Sequence, residues 1–123
     1  MILLLDNYDS YTFNLAHLIA EVAGREPLVV AAGEAEGLAE RVRAGEFSHV
    51  VISPGPGTPE REEDFGAARG IIAAAAAAEI PVLGVCLGHQ GLGLLAGAQV
   101  SPAPQPRHGF VSTIRHSGKG IFA

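Results

Sequence analysis

The chain has 123 residues with 8 basic against 13 acidic side chains, a formal net charge of −5. That length supports one domain with a single core, and the acidic balance excludes a nucleic-acid surface built on positive charge. No apolar run is long enough to span a membrane, Met1 to Asp6 lacks the length and basic flank of a signal peptide, and one cysteine forms no internal disulfide. A cytoplasmic protein is the expectation.

Short apolar runs at Ile2–Leu5, Leu28–Ala31, Val50–Ile52 and Val82–Val85 alternate with helical patterns, the rhythm of a parallel sheet with helices on both faces. Asp9 or Ser10 is placed to cap a first helix whose Leu15, Leu18, Ile19 and Val22 share one face, and Gly24 ends it. Residues 33–45 read as a weaker helix with Leu38 and Val42 four apart. Asp64 is placed to cap a third helix that runs through Ile71 and Ile72 into the alanines Ala73 to Ala78, a good helix former packed close to the sheet. A further helix should end near Gly97. Beyond it, prolines at 102, 104 and 106 break the chain, Val111–His116 alternates like a later strand, and residues 118–123 read as neither helix nor strand, as if the domain had been cut there.

In an open parallel sheet, ligands gather beyond the carboxyl ends of the strands. Asp6–Ser10, Ser53–Pro59 and Cys86 all fall there and should meet at one cleft. Ser53-Pro54-Gly55-Pro56-Gly57-Thr58-Pro59 alternates residues that fix φ with residues that free it, so it reads either as a plain turn or as a stiff loop whose backbone a ligand can approach. It lacks the Gly-Lys-Ser/Thr ending of a phosphate loop.

Cys86 sits in Gly84-Val85-Cys86-Leu87-Gly88-His89-Gln90, directly after an apolar run. A lone cysteine is commonly a small buried hydrophobe. Strand, flanking glycines and a following helix instead describe a nucleophile elbow, with the side chain displayed above the sheet in a strained turn. The helix N-terminus there favours a sulfur anion and a developing oxyanion, and amides of Leu87 and Gly57 would supply the oxyanion hole. Three residues on, His89 leans toward the preceding turn and reads as a structural, hydrogen-bonded histidine rather than a base. Gln90 reads either as an ordinary helical amide or as a side chain reaching back over the elbow to a polar substrate. His17, His49, His108 and His116 have no evident catalytic context, so no base stands out.

Gly-Val-Cys-Leu-Gly-His-Gln together with Ser-Pro-Gly-Pro-Gly-Thr-Pro resembles the class I (triad) glutamine amidotransferases. Leu5-Asp6-Asn7-Tyr8-Asp9-Ser10-Tyr11-Thr12-Phe13-Asn14-Leu15, His108-Gly109 and the run Gly118–Ala123 are similar to the chorismate-using branch, which comprises the glutaminase parts of aminodeoxychorismate and anthranilate synthases. Gly24-Arg25-Glu26-Pro27, Asp64-Phe65-Gly66 and Gln90-Gly91 look most like the aminodeoxychorismate group in which glutaminase and synthase are fused. The resemblance covers Ile2 to Ala123 and implies a flavodoxin-like α/β open parallel sheet, with residues 1–123 as roughly the N-terminal two-thirds of a type 1 amidotransferase domain.

What the resemblance implies is specific. Cys86 becomes the nucleophile that hydrolyses L-glutamine through a thioester, Gly55, Pro56, Gly57 and Gln90 its glutamine contacts, and the Gly57 and Leu87 amides the oxyanion hole. Ammonia then passes to a chorismate-binding synthase, as a subunit or fused domain, for 4-aminobenzoate and folate-type synthesis; the anthranilate route to tryptophan is the alternative. No cofactor or metal is expected in the glutaminase part, magnesium is expected in the synthase domain, and neither nucleic acid nor membrane is a partner. The family's His-x-Glu motif has no counterpart here, since none of the five histidines has glutamate two positions later. The chain as given is therefore expected to lack turnover, and a catalytically silent glutamine-binding or synthase-binding module is the rival reading. Another hydrolase with a cysteine elbow is disfavoured by Ser53–Pro59 and Gln90.

Overall fold

Four parallel strands carry the architecture: β1 (Ile2–Asp6), β2 (Leu28–Ala31), β3 (His49–Ile52) and β4 (Val82–Gly84), in spatial order β2-β1-β3-β4. The computed structural model describes residues 1–123. Pairing aligns Asp6 with Ala31, Leu5 with Ile52 and Ile52 with Gly84, so the strands finish together along one edge. This is the flavodoxin-like order, with its switch point between β1 and β3.

Side chains of the central strands alternate between two unlike faces. Leu3, Leu5, Val50 and Ile52 point toward α2 (Leu38–Arg43), α3 (Glu62–Ala77) and α4 (Leu87–Leu95), joining a cluster of 14 buried residues. Leu4 and Val51 point the other way, toward α1 (Thr12–Ala23), where only Ala16 joins them in full burial. The expected apolar face of α1 is present but thinly covered. Leu18 is 58% and Val22 90% exposed, and together with Leu15, Ile19, Ile2 and Leu83 they line an open apolar groove of about 650 Å³.

Several local expectations need correction. Tyr11, not Asp9 or Ser10, occupies the N-cap of α1 without a side-chain cap bond; Asp9 Oδ2 accepts the Tyr11 amide, and Asp6 Oδ1 accepts the Asp9 amide and the Thr12 hydroxyl. Likewise Arg61 precedes α3, and Asp64 is its third residue rather than its cap. The helix expected over 33–45 is divided by Gly37 (φ 70°) into a 3-10 turn at Ala32–Glu34 and α2. Val111–His116 makes no strand: β4 remains the edge of the sheet, and Val111 is fully exposed. Alternation alone forms no strand when no ladder receives it. The last residues wind one 3-10 turn, Gly120–Phe122, with Phe122 stacked at 5.2 Å on His116. No helix is long and apolar enough to cross a membrane.

Candidate active site

Cys86 is the N-cap of α4 with φ 53° and ψ −107°, a conformation costly for a residue with a Cβ, on the order of 1–3 kcal/mol. The flanking glycines explain how the turn is held. A Cβ on Gly84 would overlap the Gly88 carbonyl, and a Cβ on Gly88 would overlap the Ile52 carbonyl oxygen, so the elbow sits directly on β3 and β4. Leu87 is driven into the core at 1% exposure, while Cys86 stays exposed. Burial of one neighbour thus displays the other. The Leu87 amide opens α4, where no intrahelical acceptor exists for it.

Across the switch point, β1 and the glycine-proline loop are stitched together. The Asn7 amide donates to Ser53 Oγ (2.9 Å), Asn7 Nδ2 donates to the Ser53 carbonyl (3.1 Å), and the Ser53 hydroxyl donates to the Pro54 carbonyl (2.6 Å). Both side chains are buried, and Asn7 Oδ1 is left as an unpaired acceptor. Gly55 is caught between β1 and the elbow: a Cβ there would lie 2.5 Å from Asn7 Cβ and 3.1 Å from Leu87 Cδ2. The three segments that end β1, β3 and β4 therefore do converge, with Gly55 as their meeting point.

Past Gly55 the loop becomes exposed at Pro56 and Gly57, and the Gly57 amide donates to nothing within the chain. Gly57 has φ 84°. Two side chains of α3 hold the far end: Asp64 Oδ2 accepts the Thr58 amide at 3.0 Å, and Arg69 Nη2 donates to the Pro59 carbonyl at 3.0 Å. Sequence reading assigned neither role, because it treated Asp64 as a helix cap. The signal available was an acid in the first helical turn directly after a glycine-proline loop.

Gln90 lies one turn above the elbow, its side chain exposed, its backbone N–H donating to the Cys86 carbonyl at 2.9 Å. His89 departs from expectation, being exposed with no side-chain hydrogen bond. Nor does any other histidine hydrogen-bond to the sulfur. His49 begins β3, at the opposite end of the strands from Cys86; His17 is exposed on α1; His108 and His116 lie in the exposed tail, where His116 Nδ1 accepts the Gly118 amide. A small cavity of about 110 Å³ lies between Asn7, Tyr8, Gly33, Asp64 and Phe65, and Cys86 does not line it.

A displayed cysteine on a strand-turn-helix elbow, at the N-terminus of a helix, is a geometry suited to covalent acyl transfer. The model for the family "Glutamine amidotransferase class-I" matches residues 3–123, and the chain belongs to that family. Among curated relatives it is 50% identical over 121 residues to an aminodeoxychorismate synthase of Streptomyces pristinaespiralis, and 50% identical over 120 residues to another of Streptomyces griseus. It is 45% identical over 121 residues to anthranilate synthase component 2 of Mycobacterium tuberculosis. Each alignment takes in 98% of this chain, which spans 16% of the length of the two Streptomyces proteins and 50% of the mycobacterial one.

Proposed function

We propose that this chain carries the glutamine-hydrolysing site of an aminodeoxychorismate synthase. The observation that carries the reading is the Cys86 elbow packed through Leu87 against Gly55 of the glycine-proline loop. Cys86 Sγ attacks the side-chain amide carbon of glutamine, and the carbonyl electron pair moves onto oxygen, held there by the Gly57 and Leu87 amides. The thiol proton passes to the amide nitrogen, and collapse of this intermediate breaks the C–N bond, expels ammonia and leaves a glutamyl thioester. Water then attacks the thioester, releasing glutamate and restoring the thiol. Gly55 and Pro56 contact the substrate backbone from the loop, and Gln90 contacts it from α4.

Ammonia passes to a chorismate-binding synthase, whose own chemistry needs magnesium. The docking surface proposed for that synthase is the end of β1, where Tyr8, Tyr11 and Phe13 are 64%, 66% and 68% exposed. Large exposed aromatics clustered on one loop and helix start are suited to a protein interface. The higher identity to the two Streptomyces aminodeoxychorismate synthases than to the mycobacterial anthranilate synthase component supports that product over anthranilate. Incubating the whole protein with glutamine and chorismate, and identifying the aminated product, decides between them. Replacement of Cys86 by alanine should abolish glutamate release while leaving product formation from added ammonium salts intact. Retained glutaminase turnover in that variant would refute the site.

A second reading, a glutamine-binding module without turnover, is favoured by one observation: no histidine is hydrogen-bonded to the sulfur. A positioned acid-base group is worth about 10² to 10⁴ in rate, so residues 1–123 by themselves should bind glutamine without turning it over. Glutamine protecting Cys86 from iodoacetamide, with no glutamate formed, is the expected result for that fragment. Glutamate release by the fragment at the rate of the whole protein would mean that one of its own histidines acts as the base.

A further inference from the structure

We infer that Asn7 is a positioning residue for glutamine binding: it sets Gly55 and Pro56 of the glycine-proline loop against the elbow that carries Cys86. This inference rests on the glutaminase reading of the site.

The loop meets the elbow at Gly55, and Asn7 holds it there. Gly55 is not among the glycines with positive φ, so a side chain is excluded at this position by space rather than by conformation. A Cβ would lie 2.5 Å from both Asn7 Cβ and the Asn7 carbonyl oxygen, and 3.1 Å from Leu87 Cδ2. Leu87 is itself fixed in the core at 1% exposure, directly after Cys86. Asn7 and Leu87 therefore act as two jaws on Gly55, and where the loop stands relative to the sulfur depends on both.

Two bonds tie the loop to the Asn7 jaw. The Asn7 backbone N–H donates to Ser53 Oγ at 2.9 Å, and Asn7 Nδ2 donates to the Ser53 carbonyl at 3.1 Å, two residues before Gly55. The Ser53 hydroxyl carries the connection on to the Pro54 carbonyl at 2.6 Å, in the peptide that leads into Gly55. Pro54 and Pro56 fix φ on either side, so a shift of Ser53 reaches Gly55 with little slack. Asn7 and Ser53 are 3% and 0% exposed, and their bonds form away from competing water. The same bonds orient the amide group: Nδ2 faces the Ser53 carbonyl, and Oδ1 is buried with no partner. A buried acceptor without a donor is destabilising, so the side chain places the loop at some cost in stability.

The test measures glutamine hydrolysis by the whole protein, with kcat referred to titrated Cys86. Asn7→Ala removes the Nδ2 donor and keeps the backbone bond to Ser53. It should raise KM for glutamine by about 10- to 100-fold, because the loop then loses its setting against the substrate. The glutamine concentration that half-protects Cys86 from iodoacetamide should rise by a similar factor. Meanwhile kcat should stay within about threefold of wild type, and product formation from chorismate and added ammonium salts should be unchanged. Leu4→Ala is the control for a general loss of stability, since Leu4 is fully buried with Ala16 and Val51 on the other face of the sheet; it should leave KM within about twofold. If Asn7→Ala does not fold, as judged by its thermal transition, Asn7→Ser takes its place, its hydroxyl one atom short of the Ser53 carbonyl. Wild-type KM in the Ala or Ser variant, a loss confined to kcat, an equal rise of KM in Leu4→Ala, or a parallel loss of the ammonia-dependent reaction would each overturn the inference. Cys86→Ala is the companion measurement: undiminished turnover there would bring down the glutaminase reading and this inference together. An inactive Cys86→Ala beside an Asn7→Ala with wild-type KM would remove only the role given to Asn7.

Discussion

The two faces of the sheet are built to different standards. On one, α2, α3 and α4 close over Leu3, Leu5, Val50 and Ile52, and the buried cluster counts 14 residues; on the other, α1 alone lies over Leu4 and Val51, and the cluster counts 3. Beyond the Asn7–Ser53 bonds at the strand ends, the devices that position the candidate site are tied to the first face: Leu87 beneath the elbow, Phe65 beside Asp64, Gly91 against the Phe65 ring. The second face contributes the aromatic rim at the start of α1 and an uncovered groove. Chemistry that depends on sub-ångström placement rests on the packed side, and surface available for association lies on the open one.

Substitutions can break that contrast in order of expected effect. Phe65→Ala should cost about 3–5 kcal/mol in urea denaturation, because it empties the space shared by α3 and α4. It should also abolish activity beyond its effect on folding. Leu4→Ala removes a fully buried side chain from the thin face, and should cost less, about 2–3 kcal/mol, because that side can relax into the groove. A cost as large as that of Phe65→Ala would mean that the second face is better packed than its exposure suggests. Gly88→Ala pushes a methyl group at the Ile52 carbonyl and should cost about 1–3 kcal/mol while lifting the elbow. Its signature is loss of glutamine protection at Cys86 in a protein that still unfolds cooperatively. Val22→Ser, at a position 90% exposed, should change stability by less than about 0.5 kcal/mol and reduce binding of an apolar fluorescent dye.

All four strands were legible in the sequence because each is a short apolar run between turn signals, and only their ends shift, to Asp6, His49 and Gly84. The elbow was legible for a different reason: Gly84 and Gly88 mark a close backbone approach that few other arrangements require. Periodicity identified the apolar face of α1 but carries no information on whether anything lies against it, so the exposure of Leu18 and Val22 came only with the structure. The bond from Asp64 to Thr58 was hidden for a similar reason. It spans six residues along a path set by Pro59 and the turn into α3, and helix-start rules look only three or four residues ahead. Val111–His116 shows the opposite failure, a correct alternation without a partner strand.

The alanines near the end of α3 place a constraint on insertions and deletions. Ala74 and Ala75 are fully buried against the sheet while Ala73, Ala76 and Ala77 face outward, and the helix ends where the Ile80 amide closes on the Ala75 carbonyl at 2.9 Å. Gain or loss of one alanine would rotate everything after it by about 100° relative to Ile71 and Ile72. Ile80 and the entry to β4 at Val82 would then arrive on the wrong side of the helix, just ahead of Cys86. A repeat of six identical residues, easily lengthened or shortened during copying of its gene, is thus free to change in composition at its outer positions but not in number.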